Sequence, residues 1–422
     1  MTKLPKKLEV LREPDYRRLF LGRTTSLIGD GISPIAIAFA VLDLTGSATD
    51  LGIVLASNSL ALTALVLVGG VWADRLSPRV AMVGSDLVRM VSMGLVAALL
   101  ISGTAEIWQL ALLYGIEGAA TAFFYPASTA IVPQIVPGHR LQDANALLNL
   151  SRHTGKVAGP ALAGILLALG SPGSALAVDA ATFGVSAAFL IGVRAPRLRD
   201  AAAQSSFLSE LRHGWREFSS RSWMVAVVIS AAISNAIFWP AFQVLGPTVA
   251  DASLDGSSSW ALIVAFWGVG GLLGGGIALI VRPRRPLLVS EGFILLFALP
   301  VALLASPTFT LVIALGALLA GAATGLAEVL WETIAAQQIP HESLSRVMAY
   351  DWFGSLALEP LGLALIGPLA AGVGISATLW IAAGVILVCQ LAVLSVPGVR
   401  RLEYRPDGPP TPLPPRPIGV GD

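Results

Sequence analysis

Charged side chains interrupt several long apolar stretches of this 422-residue sequence. Four of them lie near the middle of such stretches: Asp30, Glu117, Lys156 and Glu359. A charge at the centre of a membrane helix costs about 2.5–3.5 kcal/mol, so these groups must pair, contact water or exchange protons. A carboxyl group in apolar surroundings can bind and release a proton, which makes Asp30 and Glu117 candidates for proton coupling or ligand binding.

Two of these four residues each have two interpretations. Lys156 forms a structural ion pair with Asp30 or Glu117, or it takes part in ligand binding or proton coupling. Glu359 braces two parts of the molecule, or it serves the same coupling chemistry. The sequence leaves both alternatives open.

Other polar and aromatic residues within the apolar stretches favour structural roles. Asp86 and Arg89 are three positions apart, which predicts a local salt bridge on one helix face. Asp179 is expected to fix helix packing near the outer end of its helix. Trp239 and Trp267 are expected to pack in a core rather than to stack on an aromatic ligand.

The composition is typical of a membrane protein. Hydrophobic residues make up 55% of the chain and charged residues only 13%, with a mean hydropathy of +0.76. Soluble proteins carry roughly twice that charged fraction. The net charge of +1 argues against a nucleic-acid partner, which requires a basic surface. The single cysteine, Cys389, excludes an intramolecular disulfide and a zinc cluster, and we expect no metal or other cofactor.

The apolar stretches predict an all-α membrane protein with twelve transmembrane helices. A span needs about 20 apolar residues. The candidates are 18–42, 50–73, 80–102, 107–132, 142–168, 174–194, 223–249, 259–281, 287–305, 309–335, 345–370 and 376–396. Lysine and arginine cluster before the first span and after every second one, whereas the alternate connections carry neither. Because basic connections stay on the cytoplasmic side, both termini are predicted to be cytoplasmic.

A shift of 203 positions aligns the first half of the chain with the second. Among the superimposed pairs are Gly159 with Gly362, Gly164 with Gly367, and Lys156 with Glu359. A period of half the chain indicates a duplicated unit. We therefore predict two pseudo-symmetric six-helix halves, 1–194 and 223–400. A cytoplasmic linker with an amphipathic helix, 195–222, joins them, and a disordered proline-rich tail, 401–422, follows.

Glycine and charged residues cluster between the predicted second and third spans: Gly70, Asp74, Arg75 and Arg79. The glycine permits close helix approach, while the acid and the bases can pair at helix ends and hold a cytoplasmic gate shut. The cluster resembles the signature G-x-x-x-D-R-x-G-R-R of the major facilitator superfamily. Ser77 and Pro78 stand where the signature has glycine and a basic residue.

Small residues recur along the predicted fifth span: Gly155, Gly159, Pro160 and Gly164. They permit tight helix packing, and the proline bends the helix. The pattern resembles a shortened form of the antiporter motif of the same superfamily, with Ala146 where an earlier glycine is expected. Further phrases, such as Phe124-Tyr-Pro126, resemble the branch that holds the enterobactin exporter and the macrolide-efflux proteins.

This resemblance implies a fold in which the first, fourth, seventh and tenth helices line a central cavity. The sequence has a polar residue on each of them: Asp30, Glu117, Asn235 and Glu328. The expected function is proton-coupled export of a small amphipathic organic compound, such as a drug-like or secondary metabolite, by a secondary active transporter. Two alternatives remain: uptake of a small solute, or a membrane receptor or assembly partner that transports nothing.

Enzymatic activity is not expected. The sequence has no Walker motif, so ATP does not drive the protein directly, and its four histidines are scattered. The predicted partners are a small-molecule substrate, protons as the coupling ion and the lipid bilayer. We expect a multi-pass monomer in the plasma membrane of a prokaryote.

Overall fold

The computed structural model describes residues 6–75, 77–194, 215–339 and 341–403. Side chains are described for all of these except 6–8, 67–75, 279 and 341–346. The first twenty residues of the predicted linker and nearly all of the predicted tail therefore lie outside the described residues. So do the side chains of Gly70, Asp74 and Arg75. Within the described ranges the chain is helical and contains no β-strand.

The first group of helices precedes the linker. It comprises α1 (Pro14–Thr45), α2 (Ala48–Arg75), α3 (Pro78–Ser102), α4 (Ile107–Ala130), α5 (Leu141–Leu169) and α6 (Pro172–Ile191). Local sequence explains several ends. Ser77 caps α3 by accepting a hydrogen bond from the Val80 amide, and Gly46 and Gly103 end α1 and α3 with φ angles of 64° and 70°. The short helix Val132–Ile135 lies in the connection between α4 and α5.

The second group follows the linker. It comprises α7 (Ser222–Ser253), α8 (Gly256–Ile280), α9 (Pro286–Ala305), α10 (Thr310–Gln338), α11 (His341–Leu356 and Glu359–Val373) and α12 (Ile375–Ser395). Prolines cause its two irregularities, because proline lacks an N–H and clashes with the preceding turn. A π-helical turn, Ala241–Leu245, follows Pro240 in α7, and α11 is interrupted just before Glu359 and Pro360.

Eleven helices in the described part of the chain are long and apolar enough to cross a membrane. They coincide with eleven of the predicted spans. Helix α5, the predicted fifth span, is not among them, because Arg152, His153 and Lys156 lower the apolar content of its first half. The number of twelve spans therefore stays a prediction.

The two glycines aligned by the shift of 203 positions make equivalent helix contacts. A Cβ built on Gly159 of α5 would lie 2.5 Å from the Cα of Gly31 in α1. A Cβ built on Gly362 of α11 would collide with the backbone oxygen of Ala236 in α7. Helix α5 thus packs on α1 as α11 packs on α7, backbone against backbone.

The next aligned pair of glycines joins the two groups. A Cβ on Gly164 of α5 would lie 2.7 Å from the Cβ of Ala261 in α8. A Cβ on Gly367 of α11 would lie 2.5 Å from the Cα of Thr49 in α2. The contacts of α5 with α8 and of α2 with α11 therefore form the joint between the groups.

The apolar core lies mainly toward one end of the bundle. The largest buried cluster contains residues of both groups, among them Ile37 of α1, Phe238 of α7 and Leu379 of α12. Three smaller clusters are each confined to one group. They include Tyr16 near the start of α1 and Val399 after α12, at the end of the bundle that we call the terminal face. Apolar packing thus joins the two groups away from the terminal face, and at that face each described cluster belongs to one group alone.

Replacement of Gly159 by valine is expected to lower the melting temperature of the purified protein, because the added atoms collide with α1. Overpacking of this kind costs about 1–3 kcal/mol. Gly84→Val in α3 is the matched control, since no heavy atom lies within 4 Å of a Cβ built there. Thermal unfolding in detergent measures both variants, and equal melting temperatures would contradict the packing described here.

Candidate functional site

The guanidinium of Arg89, in the middle of α3, is buried and contacts carboxylates from three helices. Its Nε donates to Oε1 of Glu117 on α4 at 2.8 Å. Its Nη2 pairs with Oδ1 of Asp30 on α1, and its Nη1 lies 3.6 Å from Oδ1 of Asp86 on the same helix. We call these four residues the Arg89 cluster. The local pair of Asp86 and Arg89 that the sequence predicted is thus part of a larger assembly.

Two aromatic rings pack against the same guanidinium. The Cζ of Arg89 lies 3.9 Å from the ring centroid of Phe183 on α6 and 5.7 Å from that of Phe124 on α4. The rings exclude water and add a cation–π attraction, which is larger where the cation is desolvated. The ion pairs therefore act in a medium of low dielectric constant, where they are stronger than at a surface.

Neutral donors orient the carboxylate of Glu117. Thr121 donates from Oγ1 to Oε1 at 2.8 Å, and Asn58 of α2 donates from Nδ2 to Oε2 at 2.6 Å. The same amide of Asn58 also bonds the carbonyl oxygen of Tyr114 at 2.9 Å. Both oxygens of Glu117 are therefore engaged, and the cluster extends to α2.

Asp30 is the most accessible member of the Arg89 cluster. Its side chain is 28% exposed, compared with 11% for Glu117 and 0% for Asp86. Glycines flank it: Gly31 lies against the backbone of α5, and a Cβ on Gly29 would lie 2.5 Å from Oδ1 of Asp179. The backbone beside Asp30 is therefore held against two helices, while its carboxyl group keeps more exposure than the other two of the cluster.

A further carboxyl group lies close to the cluster. Asp179 of α6 is completely buried, and among the described residues no group lies in hydrogen-bonding geometry with either of its carboxylate oxygens. It packs against Gly29 of α1, in agreement with the packing role expected from the sequence. The Arg89 cluster alone has three carboxyl groups for one guanidinium, so its charges do not balance.

The other predicted site residues lie outside this cluster. Lys156 is exposed, and no described carboxylate lies within 4.0 Å of its amine, so the first of its two interpretations, an ion pair with Asp30 or Glu117, does not hold in this structure. Arg89 is instead the cation that pairs with Asp30 and Glu117. Asn235 donates to the carbonyl oxygen of Ser355 at 3.1 Å and so ties α7 to α11.

The two remaining predicted glutamates have no ion-pair partner among the described side chains. Glu328 of α10 is exposed. Glu359 is half-buried and begins the second segment of α11, where the helix is interrupted. Its predicted bracing of the two halves is therefore not made through an ion pair in this structure.

The two sequence motifs have structural contacts. At the start of α3, Arg79 donates from Nη2 to the carbonyl oxygen of Ile191 at the end of α6. In α5, Gly155 and Gly159 contact the backbone of α1, and Pro160 lies within the helix without ending it. Arg79 thus joins α3 to α6, and the glycines of α5 hold that helix close to α1.

An aromatic cluster occupies the second group. It contains Phe238, Trp239, Phe242, Trp260, Trp267 and Phe297, with Trp239 and Trp267 centroids 5.6 Å apart. Core packing of both tryptophans agrees with the sequence-based expectation. They remain half-buried, so one side of each ring is not covered by the core.

The central role of Arg89 was missed at the level of sequence. The same cost of a membrane-buried charge that singled out Asp30 applies to an arginine in the middle of a predicted span. The position of Arg89 within a predicted span therefore already indicated a buried charge. The sequence analysis assigned it only a local salt bridge, because Asp86 lies three positions away.

Comparison with known proteins decides the family. The family model for the Major Facilitator Superfamily matches residues 19–357. The chain belongs to the major facilitator superfamily. It is accordingly a multi-span membrane transporter of small molecules.

Two relatives of this superfamily member are efflux proteins by name. The multidrug efflux pump Tap of Mycolicibacterium fortuitum is 28% identical over 90% of this chain and 95% of its own length. Macrolide efflux protein A of Streptococcus pyogenes is 21% identical over 92% of this chain and 98% of its own length.

Solved structures share the fold at low identity. The nucleoside transporter NupG has a TM-score of 0.70 and 15% identity, and the match covers 90% of this chain and 98% of NupG. A bacterial homologue of the lysosomal transporter Spinster, in an inward-facing and unoccupied conformation, has a TM-score of 0.73 and 14% identity over 96% and 100% of the two chains.

Replacement of Arg89 by methionine is expected to destabilise the protein by about 3–5 kcal/mol, because it leaves buried carboxylates without a cation. Adding Glu117→Gln to this variant is expected to restore part of the stability, since one uncompensated charge is removed. Denaturation in detergent measures the single variants and the double variant. Arg285→Met is the control, because Arg285 is exposed. Additive effects of the two substitutions would show that Arg89 and Glu117 are not coupled.

Proposed function

We propose that this protein exports a small amphipathic organic compound and draws its energy from protons that enter through the Arg89 cluster. Both relatives described above are efflux proteins by name and match nearly the whole chain. They support export, and the name of one of them supports macrolides as the first compounds to test.

One observation carries the proton coupling: three carboxyl groups share the buried guanidinium of Arg89. In a medium of low dielectric constant, uncompensated charge is costly, so the cluster gains stability by binding protons. Asp30 is the accessible member and belongs to α1, which also packs on α5 and α6. A proton on Asp30 weakens its pair with Arg89 and loosens α1 from α3. That change links protonation to movement of helices.

Export then follows from competition for the cluster. A compound enters the space between the groups from the terminal face and contacts Asp30. The two groups then rock about the glycine joint, which consists of the contacts of α5 with α8 and of α2 with α11. A proton that arrives from the opposite side then displaces the compound from Asp30. The half-buried Trp239 and Trp267 offer an apolar surface for the compound from the second group.

The proposal includes the architecture predicted from the sequence. The chain has twelve spans in two six-helix halves, with boundaries at 1–194 and 223–400. Helix α5 is a span despite its charged first half, because its polar side chains face the space between the halves. Both termini are cytoplasmic, so the terminal face is the cytoplasmic side, and the protein works as a monomer in a prokaryotic plasma membrane.

Asp30→Asn and Glu117→Gln are each expected to abolish transport driven by a pH gradient, because both remove a protonatable group of the cluster. Proteoliposomes that contain the purified protein and a macrolide, erythromycin, provide the measurement, with Asp255→Asn as a control at an exposed connection. Full pH-driven transport in both cluster variants would remove these residues from the mechanism.

The direction of transport is tested separately in cells. Cells that express the protein are expected to accumulate less radiolabelled erythromycin than cells that express the Glu117→Gln variant. Higher accumulation with the unaltered protein would show uptake and would reverse the proposed direction.

A further inference from the structure

A pocket of about 450 Å³ with both polar and apolar lining residues lies between α1, α4 and α5, toward the terminal face. Its polar lining consists of Arg23 of α1, Ser128 and Thr129 of α4, and Asn145, Asn149 and Arg152 of α5. No member of the Arg89 cluster lines it. No aspartate or glutamate is among its lining residues either. The pocket is therefore separate from the proposed coupling site, and it is basic.

Arg23 is a buried cation that forms no ion pair with a described carboxylate; Asp30, on the same helix, attracts it only from beyond ion-pair distance. The residue is 2% exposed, and its buried Nε has no hydrogen-bond acceptor among the described residues. Its Nη1 makes one long bond, 3.5 Å, to the carbonyl oxygen of Ser128. In the described ranges no carboxylate lies within 4.0 Å of its guanidinium. Buried guanidinium groups are normally paired and fully bonded, so Arg23 lacks an acceptor that no described residue supplies.

The remaining polar groups converge on the same space from one face of α5. Asn145, Asn149 and Arg152 are spaced four and three residues apart, which places them on one helix face, and all three are exposed. They offer two amides and a second guanidinium. Together with Arg23 they form a set of donors with two positive charges, which suits an oxyanion.

The walls of the pocket are held in place by direct contacts between α1 and α5. The hydroxyl of Tyr16 donates to the carbonyl oxygen of Ala144 at 2.7 Å, and the hydroxyls of Thr24 and Ser151 are 2.8 Å apart. Further along, Gly155 lies against the backbone of Leu27. The donors therefore need no rearrangement of these two helices before they bind a ligand, which lowers the entropy cost of binding.

We propose that this pocket binds a phosphate group, carried either by an anionic lipid headgroup or by free phosphate. The planar guanidinium forks of Arg23 and Arg152 match the geometry of phosphate oxygens, and the asparagine amides complete the shell. Basic pockets between transmembrane helices on the cytoplasmic side are suited to lipid headgroups, so the lipid alternative rests on the orientation proposed above. Phosphate binding itself does not depend on the proposed transport function, because it concerns residues outside the Arg89 cluster.

Calorimetric titration of the purified full-length protein in detergent tests the proposal with three probes. These are dioctanoyl phosphatidic acid, sodium phosphate, and dioctanoylglycerol, which has the same acyl chains without the phosphate. Phosphatidic acid is expected to bind and dioctanoylglycerol is not. Binding of phosphatidic acid alone identifies a lipid as the source of the phosphate, whereas binding of sodium phosphate identifies the free ion as a sufficient ligand.

Substitutions localise the binding to the pocket. Arg152→Gln is expected to weaken phosphate binding by about tenfold, the loss typical of one hydrogen bond to a charged group. Arg152 is exposed, so this variant carries the test even if Arg23→Gln does not fold. Arg216→Gln, an exposed arginine outside the pocket, is expected to leave the affinity unchanged. The proposal is overturned if no phosphate probe binds, if dioctanoylglycerol binds equally well, or if Arg152→Gln keeps the full affinity.

Discussion

The guanidinium of Arg89 is the charge on which the first group of helices depends. It is buried between two aromatic rings and joins α1, α3 and α4 through carboxylates. Removal of one partner from a buried ion pair costs about 3–5 kcal/mol, a large part of the 5–15 kcal/mol that stabilises a typical domain. Burial of a cluster with more carboxyl groups than cations costs less free energy when the cluster binds protons. This imbalance connects the stability of the helix bundle with its proposed coupling to protons.

Glycine packing places the accessible carboxyl group of this cluster. Gly29 and Gly31, on either side of Asp30, let α6 and α5 approach the α1 backbone. A shift of α1 relative to α3 would therefore also change the contacts of α1 with α5 and α6. Further along α5, Gly164 contacts the second group through Ala261. A continuous series of close helix contacts thus leads from Asp30 to the joint between the groups, about which the proposed rocking would occur.

The sequence predicted the helix positions well because membrane spans have a strong hydropathy signal and their charges are few. The aligned glycines also predicted real contacts, since glycine spacing reports where two backbones meet. Partner choice was not predictable in the same way. Arg89 pairs with Asp30 because of how α1 and α3 are rotated about their axes, and an amphipathic signal that fixes such rotation is weak in helices that are apolar on all sides. The sequence suggested Lys156 as a partner of Asp30, but the Lys156 side chain is exposed and forms no ion pair with it.

Infrared difference spectroscopy detects proton exchange at the carboxyl groups of the Arg89 cluster. A protonated carboxyl group has a C=O stretching band that a carboxylate lacks. We expect a carboxylic-acid band in the purified protein that changes with pH and is lost or shifted in Asp30→Asn, with no such loss in Asp255→Asn. A spectrum without any pH-dependent carboxyl band attributable to Asp30, Asp86 or Glu117 would contradict proton exchange at the Arg89 cluster.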